Sequence, residues 1–203
     1  IGIFKDQVAV DAYPHWAGAR PGDIIFKDVN GDNVIDGNDR VRNDKSRTPR
    51  FTGGLNVDLG YKDFDLSFLL QGAMGGVFYQ TTESGDFANF LKSFYDNRWT
   101  EENPDADFPR TYNRSNEYFI NQQNTFWLHK TDYIRLKNIE LGYTVPSIWS
   151  KKIGVEHLRV YINAYNLLTI SPDMKDYDPE NTSGSGYNYP LNKVINFGVN
   201  LTF

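Results

Sequence analysis

The last ten residues leave little choice of local structure. Val194-Ile195-Asn196-Phe197-Gly198-Val199-Asn200-Leu201-Thr202-Phe203 alternates strictly. Ile195, Phe197, Val199, Leu201 and Phe203 share one parity, and Asn196, Gly198, Asn200 and Thr202 share the other. A period of two sends each set to its own side of a β-strand, whereas a helix would scatter both around its circumference. Ten residues is also about what a tilted strand needs to cross a bilayer between lipid and a watery lumen. A soluble sandwich strand alternates in the same way, so the rest of the chain has to decide between them.

Four more segments read as strands. Arg50 to Tyr61 sets Phe51, Gly53, Leu55, Val57, Leu59 and Tyr61 against Thr52, Gly54, Asn56, Asp58 and Gly60. Phe64 to Gly72 sets Phe64, Leu66, Phe68 and Leu70 against Asp65, Ser67 and Gln71, with Leu69 breaking the polar face. Lys62-Asp63 between them predicts a tight hairpin turn. Thr131 to Val145 changes phase: Ile134 and Leu136 precede the switch, and Ile139, Leu141, Tyr143 and Val145 follow it. One inserted residue resets the faces, so a β-bulge is expected near Lys137-Asn138. His157 to Leu167 places Leu158, Val160, Ile162 and Ala164 together.

The connections alternate between short and long. Short ones are Lys62-Asp63 and Pro146 to Glu156, where Pro146-Ser147-Ile148-Trp149 can open a helical turn. Long ones run from Ala73 to Lys130 and from Leu168 to Asn192. This is the pattern of a membrane barrel with brief periplasmic turns and extended extracellular loops. Five strands are too few to close a membrane barrel, for which eight is about the minimum. Left open, the set would present two unpaired edges. The expected fold class is therefore all-β: antiparallel strands of a large transmembrane β-barrel with long extracellular loops. Residues 1–49 are expected to form an extracellular loop segment, and residues 50–203 the barrel strands with their loops. Ile1 in place of an initiating Met, with Pro14 and Pro21 close behind, suggests an internal segment of a longer polypeptide.

Composition narrows the function. No apolar run approaches the length of a transmembrane helix. A net charge of -5 and the lack of any Lys/Arg cluster argue against nucleic acid. The chain has no Cys, which removes disulfides, thiol catalysis and Cys-ligated zinc. His15, His129 and His157 are far apart, and neither a nucleophile elbow nor a phosphate loop is present, so no enzyme chemistry is expected. Glu101-Glu102 and the Asp105/Asp107 pair sit in a polar, Pro-containing loop and read as solvated.

Asp28 to Asp39 carries the sharpest motif. Aligned on a twelve-residue calcium loop, it offers Asp28, Asn30, Asp32, Asp36 and Asp39 as side-chain oxygens and the Val34 carbonyl at position seven. A hard cation wants six to eight oxygens around one point, which this spacing can wrap. Asn33 replaces the usual glycine, Asp39 replaces the longer Glu, and neither flank reads as a helix. A structural calcium ion is expected here; the alternative is an Asx-rich turn without metal.

Aromatic residues make up 15% of the chain and crowd the Ala73 to Lys130 connection. Tyr79, Trp99, Tyr112 and Trp127 are candidates for stacking on a sugar or peptide. The competing reading, favoured for most of these rings, is a small core of the loop itself. Asn89 to Trp99 spaces Phe90, Leu91, Phe94 and Tyr95 as an amphipathic helix would.

Several of these segments together resemble a known family. Pro21-Gly22-Asp23-Ile24, the Asp28 to Asp39 loop, and Phe64-Asp65-Leu66-Ser67 with Gln71-Gly72 come first. Tyr133-Ile134-Arg135-Leu136-Lys137-Asn138-Ile139-Glu140-Leu141-Gly142-Tyr143, Asn163-Ala164-Tyr165-Asn166-Leu167-Leu168-Thr169 and a terminal strand ending in Phe203 follow in that order. The set is similar to the C-terminal part of SusC/RagA-type TonB-dependent outer-membrane transporters of Bacteroidetes. The resemblance implies a 22-stranded barrel with an N-terminal plug, an outer-membrane location in contact with lipid, and import energised by the TonB complex. It also implies a SusD-like surface lipoprotein as partner and oligosaccharide or peptide cargo. In that setting calcium at Asp28 to Asp39 would order the extracellular rim. The alternative is a secreted all-β module that binds carbohydrate and is stabilised by calcium; it would need a second sheet to cover the apolar strand faces. A glycan-degrading domain lacks any placed acid/base pair.

Overall fold

The structure is a computed structural model and describes residues 1–79, 91–111, 124–181, 189 and 191–203. The chain divides into two compact units. One is built from Ile1–Lys45 and Tyr79–His129, the other from Ser46–Phe78, Lys130–Thr182 and Tyr187–Phe203. The expected boundary at residue 49 lies close to the start of the second unit at Ser46. The connection after the second long strand does not stay with the strands, because its aromatic side chains find their core with the N-terminal segment.

The second unit is a five-stranded antiparallel sheet. Its strands are β1 (Phe51–Tyr61), β2 (Phe64–Met74), β3 (Tyr133–Thr144), β4 (His157–Ile170) and β5 (Val194–Thr202). They pair in sequence order, each with the next. All five expected strands are present, and the tight turn falls at Lys62-Asp63, where Tyr61 pairs with Phe64 and Lys62 takes φ 55°. The Pro146 turn opens the one-turn helix α3 (Ser147–Ser150).

The change of phase in β3 has the cause its pattern implies. Leu136 pairs with Leu70 and Asn138 with Leu69, so Lys137 is the extra residue. On the other side, Leu136 meets Leu168 and Asn138 meets Tyr165, leaving Lys137 opposite Asn166 and Leu167. Asn166 takes φ 52°, a left-handed conformation that Asn tolerates better than most residues. The bulge therefore crosses from β3 into β4, and the apolar face stays continuous on either side of it.

That face joins Phe64, Leu66, Phe68 and Leu70 of β2 with Leu136, Ile139, Leu141 and Tyr143 of β3, in register with Val160, Ile162 and Ala164 of β4 and Ile195, Phe197 and Val199 of β5. Phe64 and Tyr143 stack with ring centroids 4.7 Å apart. The face is uncovered: Phe197 is 82% exposed, and Leu141, Ile195 and Leu201 are also exposed. Among the described residues of this unit no second sheet lies against it. The calcium-bound secreted module loses its main structural requirement here.

The first unit is smaller and has an aromatic core. Two short strands, Gly2–Ile3 and Ile24–Ile25, pair antiparallel. Helix α1 (Gln7–Ala12) starts at Asp6, whose carboxylate accepts from the Ala9 amide at 2.8 Å, and it buries Val10. Helix α2 (Lys92–Asn97) occupies the middle of the expected Asn89 to Trp99 helix and buries Phe94, while Tyr95 stays exposed. Ile24, Phe94 and Trp127 form the buried centre, with Phe26, Tyr79, Leu91, Phe108 and Phe126 around it.

Candidate functional site

The calcium-type loop folds on its own carboxylates. Asp28 accepts from the Gly31 amide at 2.7 Å and from the Asn33 amide at 2.9 Å. Asn30 Oδ1 accepts from the Asp32 amide, and Asp32 Oδ1 from the Val34 amide. Asp39 accepts from the Val29 and Asp36 amides, both at 2.8 Å, and these bonds hold its carboxyl below the usual carboxylate range. Asp36 caps the short 3-10 turn Gly37–Asp39. Asn33 adopts φ 63° at the position where a calcium loop usually has glycine, and Ile35 is buried. The donor types, the left-handed turn and the buried Ile35 suit a hard cation. Their arrangement does not yet gather them: among the described residues no three His, Asp or Glu side chains converge on a metal-sized point.

The expected ligand-stacking rings are placed differently from one another. Trp127 is 5% exposed and packs between Phe94, at 5.9 Å, and Phe126, at 4.8 Å. So little of the ring is exposed that Trp127 sits with the loop's own small core, the competing reading given above for most of these rings. Tyr79 is half-buried against the same cluster, and burial pushes its hydroxyl pKa up. Trp99 lies over Gly22, where φ is 86° and a Cβ would come within 2.6 Å of the indole. Its Nε1 donates to the Lys5 carbonyl at 3.1 Å. Tyr112 lies outside the described residues.

The polar face of the sheet holds two ion-paired seams. The first crosses four strands. Arg159 of β4 donates through Nε to Asp65 of β2 at 3.0 Å, donates to the same carboxylate through Nη2, and reaches Glu140 of β3 at 2.8 Å. Asn163 donates to Glu140 at 3.2 Å and accepts from Asn196 of β5 at 2.9 Å. The second seam lies toward the other end of the strands. Arg135, 1% exposed, donates to Glu180 at 2.5 Å, Asp178 at 2.7 Å and Thr169 at 2.9 Å. Tyr133 and Lys137 also donate to Glu180, at 2.7 and 3.1 Å. A cleft of about 550 Å³ opens beside Arg135, Thr169, Ser171, Met174 and Tyr177. One bare apolar face and one ion-paired polar face suit the wall of a membrane barrel.

No family model matches the chain. Among individual proteins, it is 32% identical to TonB-dependent receptor P3 of Formosa agariphila, over 90% of this chain and 19% of that protein. It is 29% identical to TonB-dependent receptor SusC of Bacteroides thetaiotaomicron, over 91% of this chain and 18% of that protein. The solved structure of the RagAB peptide importer in its closed-closed state superposes with a TM-score of 0.64 and 29% identity, covering 84% of this chain and 19% of that chain. The chain belongs to the SusC/RagA-type TonB-dependent receptors. It spans about a fifth of the length of the relatives it matches.

In this SusC/RagA-type segment the residues that no local pattern flagged are the ion-paired ones. Arg135, Glu140 and Gly142 lie within the strand motif quoted above, yet that motif does not say what they meet. Asp178 and Glu180 sit in an irregular segment with nothing periodic to mark them. The available signal was a charge on the lumen-facing parity of a strand, which needs a partner once it is withdrawn from water.

Proposed function

We propose that this segment is part of the wall of an outer-membrane importer driven by the TonB complex and not of an enzyme. Its cargo is oligosaccharide or peptide, received with the help of a SusD-like surface lipoprotein. The observation that carries the reading is the two-faced sheet: the exposed apolar side suits lipid, and the polar side suits a hydrated passage. The SusC and RagAB likenesses support the direction of transport and the kind of partner. In this arrangement the short-turn end of the strands faces the periplasm, and the long connections face outside.

The test is genetic and uses the intact polypeptide. Cells lacking it should fail to take up a labelled oligosaccharide or peptide that wild-type cells import, and dissipating the proton gradient should abolish the difference. Recovery of the intact polypeptide in the soluble fraction would overturn the reading.

Calcium at Asp28 to Asp39 is part of the same proposal. Asp28, Asn30, Asp32, Asp36, Asp39 and the Val34 carbonyl would hold the ion. Its charge would balance carboxylates that otherwise repel one another and so stiffen the loop. Its donor set, the φ of Asn33 and the anchoring of Ile35 support it.

A further inference from the structure

The connection between β3 and β4 carries more exposed apolar surface than a turn in water has reason to show. Ile148, Trp149 and Ile153 are 73%, 68% and 68% exposed. They are held in that state by a well-bonded frame. The Pro146 carbonyl accepts from the Trp149 amide at 2.8 Å and from the Ser150 amide at 3.2 Å. Ser150 and Val155 are buried, and the Val155 amide donates to the Ser150 carbonyl at 3.1 Å. Gly154, at φ 79°, closes the second short turn, and the Glu156 amide is tied to the Thr202 carbonyl of β5 at 2.8 Å. Lys151 and Lys152 stand between the apolar residues.

We infer that this turn is an interfacial anchor that inserts Ile148, Trp149 and Ile153 among the headgroups of a phospholipid leaflet, with Lys151 and Lys152 on anionic phosphates. Three features on the molecule point to lipid as the occupant. The turn is continuous with β3 and β4, whose apolar face is the proposed lipid face. An indole with its polar N–H and flat ring suits the boundary between headgroup and acyl chain. The two lysines complement anionic headgroups and can extend toward them while their stems stay in apolar surroundings. The inference rests on the barrel reading above.

The experiment uses the intact receptor in nanodiscs, in an otherwise cysteine-free background. Ile153→Cys carries an environment-sensitive fluorophore, and Phe197→Cys on β5 carries the same label as a reference. The lipids contain phosphatidylglycerol and a nitroxide placed either at headgroup depth or deep in the acyl chains. Position 153 should be quenched by the shallow nitroxide and shielded from aqueous iodide, and position 197 by the deep nitroxide. Lys151→Gln with Lys152→Gln should lower the quenching at 153 to its level in zwitterionic lipid. Quenching of 153 by iodide alone would overturn the anchor, as would shielding of 153 from both lipid and iodide, which would mean a protein cover. If 197 also fails to report lipid, the barrel reading itself falls, so the two failures are distinguishable.

Discussion

Asp65 and Arg159 meet across a strand that belongs to neither of them. Asp65 is on β2 and Arg159 on β4, and the residue of β3 beneath their contact is Gly142, which pairs with Asp65 on one side and Tyr161 on the other. A Cβ built on Gly142 would collide with the Arg159 guanidinium and with both Asp65 oxygens. The missing side chain is what allows the ion pair to form.

Gly142→Ala should therefore break the pair and lower the thermal stability of the folded barrel by about 1–3 kcal/mol, the usual penalty of overpacking. In an Asp65→Ala, Arg159→Ala background the same substitution should be much milder, because the space is then free. Equal losses in both backgrounds, read from the folded band on semi-native gels, would show that Gly142 is needed for another reason.

Removing Arg135 is expected to free the segment after β4. Arg135→Met leaves Asp178 and Glu180 without their main partner, and loss of one side of a buried pair costs about 3–5 kcal/mol. Arg135→Lys should recover only part of this, since a single ammonium cannot reproduce the forked contacts to two carboxylates. Limited proteolysis of residues 171–181 in the intact receptor measures both.

Acid should loosen the same segment, and the sign follows from Glu180. Burial raises its pKa, but hydrogen bonds from Tyr133 and Lys137 and the charges of Arg135 and Lys137 outweigh burial and hold it below the ordinary value. A carboxyl depressed in the folded state stabilises fully above its unfolded pKa of about 4.3 and loses that contribution as pH falls through the folded value. Protection of residues 171–181 against an acid-active protease should be constant from neutrality to about pH 4.5 and decline below it. Glu180→Gln should remove that decline. Loosening that begins near pH 6.5 would point to a histidine instead.

Trp127→Ala should damage the first unit and spare the sheet. Loss of a buried indole costs about 3–5 kcal/mol where the site cannot collapse. Near-ultraviolet dichroism should report the loss, while the heat-modified gel shift of the barrel stays unchanged. A selective loss of cargo affinity with normal dichroism would return Trp127 to the ligand-binding class.

Calcium should protect Asp28 to Asp39 from proteolysis in the intact receptor, and chelator should reverse the effect. Asp28→Asn combined with Asp32→Asn should abolish the response. Cleavage rates that ignore calcium would leave the loop as a self-bonded Asx turn.

The sheet was legible because each of its strands is written with a period of two, and even the Lys137 bulge announces itself as a change of phase between Leu136 and Ile139. Asn166, the other half of that irregularity, gave no sign, since a single Asn within a strand is compatible with either face. The pairing of Arg135 with Glu180, 45 residues away, has no periodic signature at all. Trp99 and Trp127 look alike as letters; only the packing of Phe94 and Phe126 around the second separates them. That residues 79–129 go with the N-terminal segment was not legible, because Ile24 and Phe26 meet their apolar partners there through tertiary packing.

Five is an odd number, and that has a consequence for the two open edges. Because every neighbour in the sheet is antiparallel, β1 and β5 point the same way. A ring of antiparallel strands must be even in number, so the strands that complete this barrel from β5 back to β1 must themselves be odd in number. Copies of this segment arranged head to tail could join only through parallel seams. Copies related by a two-fold axis could instead pair β5 with β5 and β1 with β1 in the antiparallel sense. Parity alone therefore favours two-fold pairing over head-to-tail joining whenever such a piece meets its own kind outside a membrane.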